Sequence, residues 1–181
     1  MGKELKLEDT MADYKKLVPI IKKWEGGYAN DPDDAGGCTM CGVTISVYQK
    51  YYGKDKTCDD LKHISEEEWE NIFKTGYWDK MKADEIENQS IANLCVDMLW
   101  GSGPRNAIRH IQGALGLKED GVVGKNTLAA LNSPNTAKTF RTLWTMRYNW
   151  FHKIAEKGNN QKFLRGWLRR LNSFTYSAIN K

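Results

Sequence analysis

A chain of 181 residues, 40% apolar and 28% charged, has the balance of a globular protein of one domain, or one domain with two lobes. That composition excludes a disordered chain, and the lack of any run of about 18 apolar residues excludes a membrane-spanning helix. The formal charge of +4 favours an acidic polymer in general but is too thin and too spread to predict a nucleic-acid partner.

Residues 1–10 show no periodicity and read as a loose tail. The opening stretch MGKELKLEDTMADYKK is charged and lacks an apolar h-region, so it predicts synthesis in the cytoplasm without a signal peptide. From Met11 onward, Tyr14, Leu17, Val18, Ile21 and Trp24 fall at helical spacing. Asp9 or Thr10 would cap this helix, Gly26-Gly27 would stop it, and Pro19 predicts a kink or a later start. Glu25 therefore belongs to the last turn. The bare carbonyls of a helix end disfavour an ionised carboxylate, and that suits a side chain that must donate a proton.

The next loop concentrates carboxylates, Asn30-Asp31-Pro32-Asp33-Asp34, and then glycines, Gly36-Gly37. Such loops are either tight turns or working surface. Cys38 to Thr44 alternates weakly and predicts a short hairpin. Ser46 would cap a brief helix, Val47 to Tyr52, closed by Gly53, and a polar loop follows. Ser65-Glu66-Glu67-Glu68 has capping-box spacing for a helix reaching about Tyr77, with Trp69, Ile72 and Phe73 inward.

A helix is predicted from about Asn88 to Trp100, broken by Gly101-Ser102-Gly103. Pro104 opens the next at its first position, and Gly116 ends it. Turns at Asp120-Gly121 and Gly124 precede a short helix, about Asn126 to Leu131. A long helix from about Asn135 to Lys157 carries Phe140, Leu143, Trp144, Arg147, Tyr148 and Phe151 on one side. The final segment, Gln161 to Ile179, repeats the pattern. The chain reads as mainly α, with a small β-hairpin in its N-terminal part.

Cys38, Cys41, Cys58 and Cys95 permit three disulfide pairings or a four-thiolate zinc site. Only Cys38 and Cys41 have metal-like spacing and no second such pair follows, so reduced thiols are expected, with no metal or other cofactor. His63, His110 and His152 fall on separate predicted elements. A Gly-x-Ser-x-Gly nucleophile motif and a phosphate loop are both absent. Lys162, Arg165, Arg169 and Arg170 read as a solvated face of the last helix, or as a patch for an anionic polymer.

Paired carboxylates remain as the chemistry. Glycoside hydrolysis needs a protonated carboxylic acid beside the leaving oxygen and a second carboxylate on the opposite face of the sugar. Glu25 is the candidate acid, and Asp31, Asp33 and Asp34 are candidates for the second group. Thr39, five residues after Asp34, is placed to share the holding of a water. Asp31 and Asp33 also read as Asx-turn residues, and Asp34 as a holder of loop amides.

Glu25-Gly26-Gly27-Tyr28, Asn30-Asp31-Pro32, Gly36-Gly37 and Gly42-Val43-Thr44 resemble the N-terminal signature of glycoside hydrolase family 108, lysozyme-like N-acetylmuramidases found as phage lysins and secretion activator proteins. Val96-Asp97-Met98, Ser102-Gly103-Pro104, Ile111-Gln112, Leu115-Gly116, Asp120-Gly121, Gly124 and Thr127 are similar to predicted peptidoglycan-binding domain 3. The resemblance implies a lysozyme-like α+β unit, with a catalytic half at 11–92 and a helical peptidoglycan-binding half at 93–176.

It also implies that Glu25 is the catalytic acid. Phage-type lysozymes use a Glu…Asp…Thr arrangement that Glu25, Asp34 and Thr39 resemble. The Asp-to-Thr gap is one residue shorter here, which leaves Thr44 as an alternative. Tyr28, Asp31, Thr44 and Trp100 are the expected substrate contacts. The reaction implied is hydrolysis of the β-1,4 bond between N-acetylmuramic acid and N-acetylglucosamine by a monomer acting on the cell wall or in the periplasm after release. Lytic transglycosylase chemistry is the alternative within enzymes, and a non-catalytic wall-binding or secretion-regulating protein is the alternative outside them.

Overall fold

The computed structural model describes residues 11–30 and 37–179. By its contacts the chain divides into two compact units, Lys15–Gly76 and a larger one made of Met1–Tyr14 with Tyr77–Lys181. The architecture is mainly α with one small antiparallel sheet, as the periodicity predicts.

The smaller unit holds most of helix α1 (Tyr14–Trp24), which starts later than Met11 and tolerates Pro19 inside it. Leu17, Val18 and Ile21 form its buried stripe. Strands β1 (Tyr28–Ala29), β2 (Thr39–Met40) and β3 (Val43–Thr44) pair antiparallel in that order. The expected hairpin is β2–β3, and β1 extends it by a strand.

The two-residue connection Cys41-Gly42 has φ of 46° and 79°, the mirror-image turn that matches the twist of a tight hairpin. Gly42 takes that conformation freely. Cys41 carries a left-handed penalty, offset by the Trp69 indole, which donates to its carbonyl at 3.0 Å.

Helix α2 (Ile45–Tyr52) is capped by Thr44 rather than Ser46, the Val47 amide donating to Thr44 Oγ1 at 3.3 Å. Gly53 closes it at φ 117°. The segment read as a polar loop contains a further short helix, α3 (Cys58–Lys62), begun by a Thr57/Asp60 capping box. Helix α4 (Glu66–Phe73) starts at the Ser65/Glu68 capping box that its spacing predicts, and a wider π-helical turn follows over Lys74–Trp78.

Here the structure corrects one expectation. Cys38 and Cys58 form a disulfide across a sequence separation of 20, leaving Cys41 half-exposed and Cys95 buried as free thiols. The bridge ties the entry of β2 to the start of α3. A closed loop of this length is worth about 3 kcal/mol through the entropy removed from the unfolded chain. Cys38→Ser/Cys58→Ser is therefore expected to unfold at a clearly lower urea concentration than the oxidised protein, while Cys41→Ser does not. Coincident urea midpoints for the bridged and unbridged forms would show that the bridge constrains nothing.

In the larger unit α5 (Gln89–Ser102) is central. Ten of the eleven residues from Gln89 to Leu99, all but Asn93, are buried, so the helix is covered on every side. It packs against α6 (Pro104–Ala114) and α8 (Thr136–Ala155), and α8 packs against α9 (Gln161–Asn172). Asn88 caps α5 through the Ile91 amide at 3.1 Å. Beyond α9 the predicted helix does not continue to Ile179. Instead Ser177 fastens the tail to the start of α5, its amide donating to Ser90 Oγ at 3.0 Å and its carbonyl accepting from Asn88 Nδ2 at 2.8 Å.

Gln112, buried on α6, explains the Ile-Gln…Asp-Gly…Thr pattern. Its Nε2 donates to Asp120 Oδ1 at 2.8 Å and to the Val122 carbonyl at 3.0 Å, while its Oε1 accepts from the Gly121 amide at 2.9 Å. The signature is thus a latch that folds the loop before α7 (Lys125–Leu131) onto α6.

The charges of α8 and α9 also depart from expectation. Arg170 does not belong to a solvated face: its Nη2 lies 2.7 Å from Asp97 Oδ1 and its Nε donates to the same oxygen at 2.9 Å. Arg147 is only 5% exposed, with Nη1 donating to Ser102 Oγ at 2.7 Å. Helical spacing sets its guanidinium over Trp150 and Phe151, 4.3 and 4.4 Å from the ring centroids. Burial brings its pKa down to about 10, against the pull of Asp97, so it remains charged at neutral pH.

Candidate active site

Glu25 follows directly on α1, and its amide donates to the Ile21 carbonyl at 3.1 Å, extending the helical bonding by one residue. That bond fixes the direction in which the side chain leaves the helix, and the residue is half-buried. The last turn of α1 is itself clamped. Lys22 pairs with Glu66 and sets its ammonium 4.6 Å above the Trp69 ring, while Trp69 stacks on Phe73 at 5.3 Å. Trp69 therefore positions two pieces at once, the helix end bearing Glu25 and the β2–β3 turn. Its place on the apolar face of α4 was legible in the sequence, but neither partner was.

Gly26 and Gly27 follow Glu25. Neither adopts a positive φ, and a Cβ at either would meet nothing within 4 Å. Turn geometry and packing therefore do not require these glycines. Their effect is to leave bare, open backbone beside the carboxyl group, where a ligand can approach closely.

Pairing in the sheet sorts the next candidates by face. Ala29 pairs with Thr39 and Thr39 with Thr44, so these three project to one side, all at least half-exposed. Tyr28, Met40 and the buried Val43 project to the other. Thr39 and Thr44 are thus brought together, while Tyr28 lies on the opposite face with the Lys62 ammonium 5.6 Å from its ring centroid. Thr44 Oγ1 is engaged as the α2 cap and lies 3.0 Å from Ser46 Oγ. Asp31 and Asp34 lie outside the described residues.

Trp100, in the larger unit, is half-exposed and tilts against Tyr77 at 4.7 Å between centroids. Among other titratable groups, the Tyr48 hydroxyl donates to Glu68 Oε1 at 3.2 Å, and burial with that carboxylate raises its pKa to about 12. His63 is spent on its own helix, Nδ1 lying 2.8 Å from the Asp59 carbonyl.

Residues 18–103 match the family model for glycosyl hydrolase 108, and residues 106–172 match the Predicted Peptidoglycan domain. Among solved structures, SagA of Brucella abortus is similar at 26% identity and a TM-score of 0.78, covering 91% of this chain and 97% of that one. No curated protein sequence matches. Among the described residues, no helix is long and apolar enough to cross a membrane. The chain thus carries a glycosyl hydrolase 108 region followed by a domain of the predicted peptidoglycan type.

Proposed function

We propose that the chain is an N-acetylmuramidase, hydrolysing the β-1,4 bond between N-acetylmuramic acid and N-acetylglucosamine in peptidoglycan. The observation that supports this most is Glu25 itself, a half-buried carboxyl on a clamped helix end beside open glycine backbone, within the hydrolase region. Glu25 gives its proton to the glycosidic oxygen as the C1–O bond breaks. Water adds to C1 and passes its proton to the second carboxylate, which we assign to Asp34 from its spacing. Thr39, half-buried on the sheet face and free of the cap duty that occupies Thr44, shares the orienting of that water. Tyr28, Asp31, Thr44 and Trp100 are assigned to contacts with the glycan. The enzyme acts as a monomer without metal or cofactor, on the wall or in the periplasm, after release from the cytoplasm.

Borohydride reduction and mass spectrometry of digested peptidoglycan test the assignment. Products ending in reduced N-acetylmuramic acid are expected. Reduced N-acetylglucosamine ends would move the cut to the other glycosidic bond, anhydro ends would replace hydrolysis by transglycosylation, and an undigested polymer would leave wall binding alone.

A further inference from the structure

The larger unit carries a cavity to which nothing above assigns a role. Ala137, Phe140, Arg141 and Trp144 recur at helical spacing along one face of α8, and Tyr176 from the C-terminal tail closes the other side, enclosing about 260 Å³. Phe140 is buried, its ring tilted against Tyr176 at 5.8 Å. Trp144 is held from behind by Tyr148, stacked at 5.4 Å. The walls are therefore rigid rings and the space is apolar.

The polar atoms of those rings are already engaged. The Tyr176 hydroxyl shares a 2.7 Å hydrogen bond with Thr136 Oγ1, and Trp144 Nε1 donates to the Leu171 carbonyl at 3.3 Å. Arg141 is different. Its guanidinium stands exposed at the rim and makes no ion pair or hydrogen bond with any described residue. The cavity thus offers apolar surface and one cation with a planar fork of donors, the geometry that takes a carboxylate by two parallel bonds.

We propose that this cavity binds the carboxylate end of a short peptide with small apolar side chains, the chemistry of an alanine-ended peptidoglycan stem. The choice of that source rests on reading the chain as acting on peptidoglycan. A saccharide fits less well, because its hydroxyls would enter a space whose ring donors are already used and would lose water without replacement. Size points the same way. The volume lies below the roughly 300–1,000 Å³ of drug-sized sites, enough for one or two alanyl residues. Alanyl methyl groups would lie against Phe140, Trp144 and Tyr176 while the peptide amides stay in water at the open side. The hydrolase region would thereby be tethered to the strand's peptides and not to its sugars alone.

The probe is N-acetyl-D-alanyl-D-alanine titrated into the full chain, followed by the amide and indole signals of ¹⁵N-labelled protein. Saturable shifts centred on the Trp144 indole are expected at roughly millimolar concentration. The C-terminally amidated dipeptide, and Arg141→Met with the free acid, should each bind about tenfold more weakly, since one charge-assisted contact is lost. Tyr176→Ala should weaken binding as well, with the thermal melt of each variant showing that it folds. Equal binding of acid and amide, preference for di-N-acetylchitobiose, or no shift at tens of times the expected concentration would each overturn the proposal. Wild-type protein separates the two readings: if it binds the dipeptide but cleaves no glycan, the hydrolase assignment falls and this site stands, whereas glycan cleavage without dipeptide binding would do the reverse.

Discussion

Glu25→Gln is expected to lower peptidoglycan hydrolysis by about 10³-fold, the usual worth of a positioned general acid. The amide keeps the volume and much of the hydrogen bonding of the acid but has no proton of suitable acidity for the leaving oxygen. Folding should be preserved, because the residue is half-buried, not core, and the amide is nearly isosteric with the acid. Lost turnover with an unchanged melt separates chemistry from structure. Turnover within tenfold of wild type would remove Glu25 from the acid's role.

Asp97→Asn carries the largest expected effect on stability, a loss of about 3–5 kcal/mol, comparable to breaking other buried ion pairs. Asp97 is 7% exposed on α5, accepts a hydrogen bond from Arg170 Nε, forms an ion pair with its Nη2 and lies in the field that holds the proton on Arg147. Two guanidinium groups and one carboxylate thus share the interior of the helical unit. Without the carboxylate, the buried Arg147 and the partly buried Arg170 repel one another with little solvent to screen them. Each kcal/mol moves Tm by roughly 2–4 °C in a chain of this size, so a drop of about 10 °C is expected. Asp97→Leu combined with Arg170→Met should recover part of the loss, since replacing both partners removes the uncompensated charge. A drop below about 1 kcal/mol in urea unfolding would show that the network is ornamental to stability.

Local signals in the sequence were reliable wherever the physics was local. The Ser65/Glu68 capping box, the proline opening α6, the glycine stops at Gly53 and Gly116 and the hairpin before Thr44 all stand in the structure, because each depends on residues within one turn of one another. Glu25 was legible for the same reason: two glycines after an amphipathic run place it at a helix end.

What the sequence hid was long-range. Cys38 pairs with Cys58, not with the nearer Cys41, where reduced thiols were expected. No rule of spacing selects one pairing among three. Helix α3 escaped because five residues carry too little periodicity, although Thr57 and Asp60 spell a capping box in retrospect. Arg170 looked like one more charge on a basic helix, and only the fold brings Asp97 to it across 73 positions. Arg147 gave the better clue, a charged residue inside an apolar stripe. Trp69 was recognised as core, yet its role as the clamp between α1 and the hairpin turn needs the coordinates of both.

Digestion of purified peptidoglycan in ¹⁸O-labelled water, with wild type and Glu25→Gln side by side, bears most directly on the proposed chemistry. Wild type should release muropeptides carrying one labelled oxygen at the new reducing end of N-acetylmuramic acid, and Glu25→Gln should release almost none. Unlabelled anhydro ends, or labelled ends formed equally by the variant, would contradict a water-using cleavage driven by that carboxyl group.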